Sequence, residues 1–456
     1  MGRPVNPNIP EAGYVSKREF EQTGTIVDED FTIRDEGPNS KTLEFEVGGQ
    51  TANTKVTLQT GAGQVGDIVI TLPSTTSTLS AGSTPPGGST TQIQFNDAGV
   101  FAGNAGLTFD KTLKSVALGT TNTASGSNAL AQGTSNTASN TNSSASGNGT
   151  TASGLHAHSE GNGAVASGTA SHAQGFMTTA SGQNAHAEGR SSSVGVLGIS
   201  TGTASHSEGL DTKATAAQAH SEGLTTVASG IAAHAEGSLT TASAAQAHAE
   251  GLSSSAANTA AHAEGTSTAA NGISSHSGGL STIAGGDQSF AHGNLVQATG
   301  NNALAFGKST NAGVTGLSSG NASSTFGLNT IASANQATAF GDSSVASGVS
   351  SLATGGGTKA QADNQTSVGE FNVALGTPGA PASTDKIFDV GIGANDGARA
   401  DGFYITRAGF MVSPVTHTPA SDAATGIAGQ IAWDSGFIYI CIAANSWKRV
   451  AIAAGF

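Results

Sequence analysis

His158-Ser159-Glu160-Gly161 recurs as His172-Ala173-Gln174-Gly175 and again as His186-Ala187-Glu188-Gly189, each copy fourteen residues after the last. After six extra residues the series resumes at His206, His220, His234, His248, His262 and His276, so nine of the twelve histidines occupy one equivalent slot. The frame continues with other residues in that slot: Phe290, Leu304, Ser324 after a second six-residue insertion, Thr338, Leu352 and Thr366 downstream, and Ser144, Leu130 and Val116 upstream. This makes eighteen copies between about residues 113 and 372. A fixed period of this kind marks a repeat architecture.

Half a repeat away lies a second signature, as in Thr151-Ala152-Ser153-Gly154, Val165-Ala166-Ser167-Gly168 and Val227-Ala228-Ser229-Gly230. The half-repeat is therefore seven residues ending in Gly. Four or five residues alternating in size and closed by Gly read as a short strand and a turn that uses glycine's freedom. Two such strands per fourteen residues make one coil of a narrow β-solenoid. A heptad coiled coil shares the period, but Gly in every heptad would cost roughly 1 kcal/mol each in a helix. With strands stacked about 4.8 Å apart, eighteen rungs would span roughly 80 Å.

Side chains alternate across a strand, so His158 and Glu160 share one face while Ala157 and Ser159 share the other. Only the small face fits inside so thin a coil, which sends His and Glu outward. Leu304, Phe306, Phe326 and Phe340 fill the same outward slots in later rungs. An apolar column of this kind needs cover, and identical chains are the economical cover.

Asn302-Ala303-Leu304-Ala305-Phe306-Gly307 resembles the head repeat of trimeric autotransporter adhesins, and the pattern covers more than half of the chain. The resemblance implies an all-β fold: a homotrimeric left-handed parallel β-roll whose larger strand residues line a three-fold axis. His158, His172, His186, His206, His220, His234, His248, His262 and His276 would then form an axial column with Glu160, Glu188, Glu208, Glu222, Glu236, Glu250 and Glu264. Leu304, Phe306, Phe326 and Phe340 would form a hydrophobic trimer axis. Such a column is tolerable only when paired and hydrogen-bonded, so a structural network is expected, with protonated imidazoles nearly balancing the carboxylates. The competing reading is a metal ion or anion. His156-Ala157-His158 resembles axial iron sites of some phage fibres and would offer six nitrogens from three chains. No other cofactor is expected.

The flanks resemble phage fibre proteins. Residues 1–24, with Pro4, Pro7 and Pro10, read as an extended virion-docking arm, and 25–80 as a small N-terminal β-domain with strands near Phe31–Arg34, Thr42–Val47, Lys55–Leu58 and Asp67–Leu72. Residues 81–112 read as a linker and short strand module, 113–372 as the roll, and 373–456 as a β-rich C-terminal cap. The cap holds both tryptophans, two of three tyrosines and the lone Cys441. Phe403, Tyr404, Phe437, Tyr439 and Trp447 are its candidate receptor-contact residues, able to stack on sugars or to form the cap core. The insertions at Arg190–Thr203 and Lys308–Ala322 are expected to be tolerated surface loops, with contact sites as the alternative.

Composition removes several function classes. Seventeen Lys and Arg against thirty-one Asp and Glu give a net charge of −14 with no basic cluster, which disfavours nucleic-acid binding. One cysteine excludes an intrachain disulfide framework. No apolar leader or long apolar run occurs, so neither a secretory signal nor membrane insertion is expected. With 65 Gly, 5% aromatic and 11% charged residues, packing must rest on small side chains or other chains.

The resemblance therefore implies a non-enzymatic tail fibre. It would be made in the host cytoplasm, joined to tail, baseplate or adaptor proteins by its N-terminus, and would contact a glycan or protein receptor through its distal end. A purely structural capsid, collar or connector appendage is the alternative. A polysaccharide-depolymerising tailspike is the third reading, with Asp385, Asp389, Asp396 and Asp401 as the carboxylates left to it, because evenly stacked axial glutamates would be out of a polymer's reach.

Overall fold

Most fourteen-residue coils contain one five-residue strand and one two-residue strand, and both pair in parallel with their counterparts in the next coil. His158–Asn162 lies on His172–Phe176 with His158 opposite His172 and Gly161 opposite Gly175. Thr151–Ala152 lies on Val165–Ala166 in the same way. The computed structural model describes residues 43–46, 55–58, 89–98, 100–191, 198–310 and 316–453. Among these the chain is all-β with no helix, and a parallel β-solenoid of about 17 turns forms its main body. The second strand of each coil is shorter than the sequence suggests, because most of that half-coil is turn.

The register survives both insertions. His186 pairs with His206 and Leu304 with Ser324, so each insertion leaves the stack and returns to it one rung on. The centres of the two loops, 192–197 and 311–315, lie outside the described residues.

The interior is a column of methyl groups. Ala131, Ala145, Ala173 and Ala187 from the long strands meet Ala138, Ala152, Ala166 and Ala180 from the short ones, all fully buried. Later rungs repeat this with Ala228, Ala235, Ala242 and Ala249. Serine and threonine fill the remaining interior slots, where a buried hydroxyl needs a partner. Ser221 and Thr226 share a hydrogen bond of 2.7 Å, and Ser207 with Thr212 and Ser277 with Thr282 do so at 2.8 Å. In the Ala235 rung the matching Thr240 hydroxyl is left without one.

The two glycine signatures share one cause and differ in a second: at Gly161, as at Gly154, a Cβ would strike a carbonyl oxygen of the next rung, for Gly161 that of Gly175 at 2.1 Å. Gly161 has φ +115°, a backbone that side chains rarely adopt. Gly154 has an ordinary φ, but a Cβ there would stand 1.9 Å from the Gly168 carbonyl oxygen of the next rung. The left-handed turn residues themselves are mostly not glycine: Asn142, His156 and Ala170 all have φ between 53° and 58°. That conformation costs a non-glycine residue roughly 1–2 kcal/mol. Here each such residue donates its N–H to the preceding rung, as His156 does to Thr141 at 3.0 Å.

Both ends of the solenoid are joined to antiparallel strands. Gln92–Asp97 pairs with Val100–Asp110, which pairs with Ser115–Thr120, the first long strand of the stack. At the far end Lys386–Ile392 continues the sheet in parallel beside Thr366–Glu370 and then turns antiparallel with Asp401–Thr406. Buried Asp389 accepts hydrogen bonds from Gln365, Ser367 and Asn372 there, and buried Lys386 donates to Asp401. The last strands, Ile431–Trp433, Phe437–Ala443 and Ser446–Ala451, form a separate antiparallel sheet.

Met1–Gly82 forms a distinct unit, in which Leu43–Glu46 pairs antiparallel with Lys55–Leu58. The arm expected at 1–24, the strands expected near Phe31–Arg34 and Asp67–Leu72, and residues 81–88 of the linker lie outside the described residues.

The interior hydroxyls generate a test. Thr226→Val strands the buried Ser221 hydroxyl and should destabilise by about 1–3 kcal/mol, whereas Thr240→Val removes a hydroxyl that already lacks a partner and should be neutral or stabilising. Thermal melts of the two variants check the difference, and equal losses would contradict it.

Candidate functional site

The long strands turn a double row of side chains outward. His172, His220 and their equivalents are half-buried, with Glu188, Glu222 and the other carboxylates alongside. Parallel in-register pairing places each imidazole above the next at the rung spacing. His186, His206, His220 and His234 have ring centroids 4.7–4.9 Å apart and planes within 5° of parallel. Toward the ends of the row the rings tilt, reaching 66° between His158 and His172.

Within a rung the histidine Nε2 lies 3.3–3.6 Å from its glutamate Oε2, at His158–Glu160, His186–Glu188, His206–Glu208, His220–Glu222, His234–Glu236 and His248–Glu250. The ladder changes at His276, where Gly278 replaces the carboxylate and the partner becomes Glu264 of the preceding rung. Burial pushes the His172, His220 and His262 imidazoles below their ordinary 6.5, and neighbouring imidazoles push the same way. At these three positions burial and like charge work against the protonation that a balance of imidazolium and carboxylate would need.

The row then changes character. His276 stacks on Phe290 at 4.9 Å, His292 on Phe306 at 5.2 Å, and Phe326 on Phe340 at 4.7 Å. Phe306 and Phe340 are 44% and 40% exposed, on the same outward face as the histidines, and Leu304 and Phe326 are half-buried beside them. His156 is elsewhere: it occupies an exposed turn, its Nδ1 3.2 Å from the Asn142 Nδ2, while His158 lies in the row.

The terminal sheet carries a second candidate. A cleft of about 630 Å³ is bounded by Thr418, Pro419, Ser421, Asp422, Tyr439, Trp447, Lys448 and Arg449. Tyr439 and Trp447 are mostly buried with Ala432 and Cys441, and Trp447 Nε1 donates to the Ala424 carbonyl at 3.1 Å. Both border the cleft but are nearly fully buried, so neither offers an open stacking face. Phe437 lies under the Arg449 guanidinium at 4.3 Å. Phe403 and Tyr404 belong to the other sheet, half-buried, with the Lys386 ammonium 4.9 Å from the Tyr404 ring.

The cleft is fixed by Asp434. Its carboxylate accepts from the Gly436 N–H, the Tyr439 hydroxyl and the Thr418 hydroxyl at 2.8 Å each, which holds it at about 2. The same hydrogen bond raises the Tyr439 phenol above its usual range. Lys448 and Arg449 were not singled out from the sequence. The available signal is the alternation in Trp447-Lys448-Arg449-Val450, which sends Trp447 inward and Lys448 outward.

Of the four aspartates left to a depolymerase reading, Asp385, Asp389 and Asp401 are buried and hydrogen-bonded to neighbouring chain. Asp396 is exposed and paired with Arg399 and Lys359.

No protein-family model matches the chain. Two curated relatives match over short segments. The chain is 46% identical over 61 residues to "Depolymerase 1, capsule K30/K69-specific" of Klebsiella phage K5-2, which is 13% of this chain and 7% of that protein. It is 48% identical over 44 residues to "Depolymerase, capsule K30/K69-specific" of Klebsiella phage K64-1, or 10% of this chain and 6% of that one. The matched segments thus span well under a tenth of either relative. Phage relatives and a parallel β-solenoid together fit a phage tail-fibre-like protein. The expectation of a non-enzymatic fibre is overturned, since both relatives are named as depolymerases.

The histidine row predicts a pH dependence. A folded-state imidazole held below 6.5 binds protons less readily than the unfolded chain, so stability is highest above that value and falls as the pH drops through it. The melting temperature should therefore be lower at pH 5 than at pH 7.5. Replacing His220 with Val and Glu222 with Ile should preserve the fold and reduce the acid loss. A melting temperature that rises on acidification would contradict the assignment.

Proposed function

We propose that this chain is a virion-associated tail protein of the tailspike class, directed at bacterial capsular polysaccharide and taking part in its degradation. The observation that carries the reading is the local identity of 46% and 48% to two capsule-specific phage depolymerases. A long parallel β-solenoid supports it as a stiff spacer between a virion and a surface polymer.

The terminal cleft is where we assign the polymer contact. Lys448 and Arg449 supply positive charge, Asp422 a carboxylate, and Thr418 and Ser421 hydroxyls, a donor and acceptor set suited to an acidic sugar chain. Asp434 holds the cleft in shape through Thr418 and Tyr439. Purified full-length chain should bind and shorten polysaccharide from a Klebsiella panel that includes the K30 and K69 types, read by size-exclusion profile. Arg449→Ala should weaken retention on the polymer about tenfold. Failure to bind or shorten any capsule would overturn the reading, and undiminished binding by the Arg449 variant would move the contact off the cleft.

The same proposal takes the assembled unit to be a homotrimer in which three copies share the His/Glu and Phe face. Exposed Phe306 and Phe340, stacked in line with Phe326 and with Leu304 in the adjacent column, support a covered rather than a solvated surface. Native mass decides it: the chain is 44.4 kDa, and a soluble species of that mass rather than three times it would contradict the trimer.

A further inference from the structure

The carboxylate slot of the histidine rungs is broken twice, by Gln174 and by Gly278, and at Gly278 the break collects ligands. Gly278 stands where Glu250 and Glu264 stand in the two preceding rungs. A Cβ on Gly278 would lie 2.6 Å from His292 Nδ1 and 3.0 Å from Glu264 Oε1, so both atoms lean into the space that a side chain would occupy. His276 has lost the carboxylate of its own rung and reaches Glu264 Oε1 at 3.4 Å. One oxygen and two nitrogens thus converge from three successive rungs, all within 4.8 Å of one another.

We infer that Glu264, His276 and His292 form a site for one divalent transition-metal ion, opened by Gly278. A tetrahedral ion about 2.1 Å from its ligands separates them by about 3.4 Å, the distance that already holds between Glu264 and His276. Two imidazoles and one carboxylate suit Zn²⁺ or Co²⁺ better than the all-oxygen preference of Mg²⁺ or Ca²⁺. A fourth position is left for water.

A second observation points to the same place. The Nε2 of His262, like those of His172 and His248, is buried without a hydrogen-bond partner, and His262 alone of these three lies within reach of two carboxylates, Glu250 and Glu264. An unpartnered imidazole nitrogen beside a shared carboxylate is the arrangement that a cation would relieve. The site sits where the histidine stack meets the phenylalanine stack, at His276 on Phe290 and His292 on Phe306. An ion here pins three rungs at that junction. All three ligands belong to one chain, so the site depends neither on the trimer nor on the polysaccharide reading.

The test uses the full-length chain freed of metal by a chelator and titrated with Co²⁺ alone, followed by visible absorption, with Zn²⁺ calorimetry in parallel. One Co²⁺ per chain should bind saturably, and Zn²⁺ should raise the melting temperature. His292→Phe keeps an aromatic ring in the stack, and Gly278→Ala puts a methyl where the ligands meet. Each should weaken binding at least tenfold and cancel the Zn²⁺ shift, with an unchanged metal-free melt as the folding control. His220→Phe, outside the cluster, should leave binding intact. Absence of saturable uptake, or uptake undiminished by either substitution in a folded shaft, overturns the assignment.

Discussion

Everything in the shaft depends on how little room one coil encloses. Two strands from fourteen residues face each other across a space that accepts a methyl or a hydroxymethyl group and little more. Alanine therefore recurs at the buried positions from Ala131 to Ala360, with serine and threonine between. Burying a methyl stabilises only modestly. Cohesion comes instead from repetition, because every rung donates to and accepts from its neighbours in one register. That close stacking also explains Gly154, where a side chain would collide with the rung above.

A coil too thin to hide large groups must display them. In-register stacking then turns one choice per repeat into a column, so His158 to His276 stack as rings and Glu160 to Glu264 line up beside them. Stacked imidazoles repel when charged, and partial burial adds to that cost, so acid works against the row. The same geometry makes a single missing side chain consequential. At Gly278 the column opens, the pairing slips by one rung, and Glu264 serves His276 instead of His262.

The shaft was legible because its period is written openly. The repeat interval, the inward Ala and Ser, the outward His and Glu, and the return to register after both insertions all follow from the positions of His186, His206, Leu304 and Ser324. The roles of the glycines were not legible. Gly154 and Gly161 look alike in sequence, and a carbonyl of the next rung excludes a Cβ at both, yet only Gly161 also has a left-handed backbone angle. Many of the left-handed turns fall on residues such as Ala170 and Gln218, whose identity gives no sign of it. In the cap the sequence left two roles open for Tyr439 and Trp447, sugar stacking or core, and the structure packs both with Ala432 and Cys441 inside a small sheet. Function was the least legible, since the non-enzymatic expectation came from the look of the whole chain and was reversed by short stretches of identity to capsule depolymerases.

The sequence by itself determined the solenoid, its rung register and which residues face out, because period and side-chain size are local properties that each strand carries alone. Tertiary structure decided which side chains meet: Glu264 with His276 and His292, Asp389 with Gln365 and Asn372, Arg449 over Phe437. Those contacts join residues from different coils and sheets, and their geometry depends on how the backbone turns between them, which no spacing along the chain encodes.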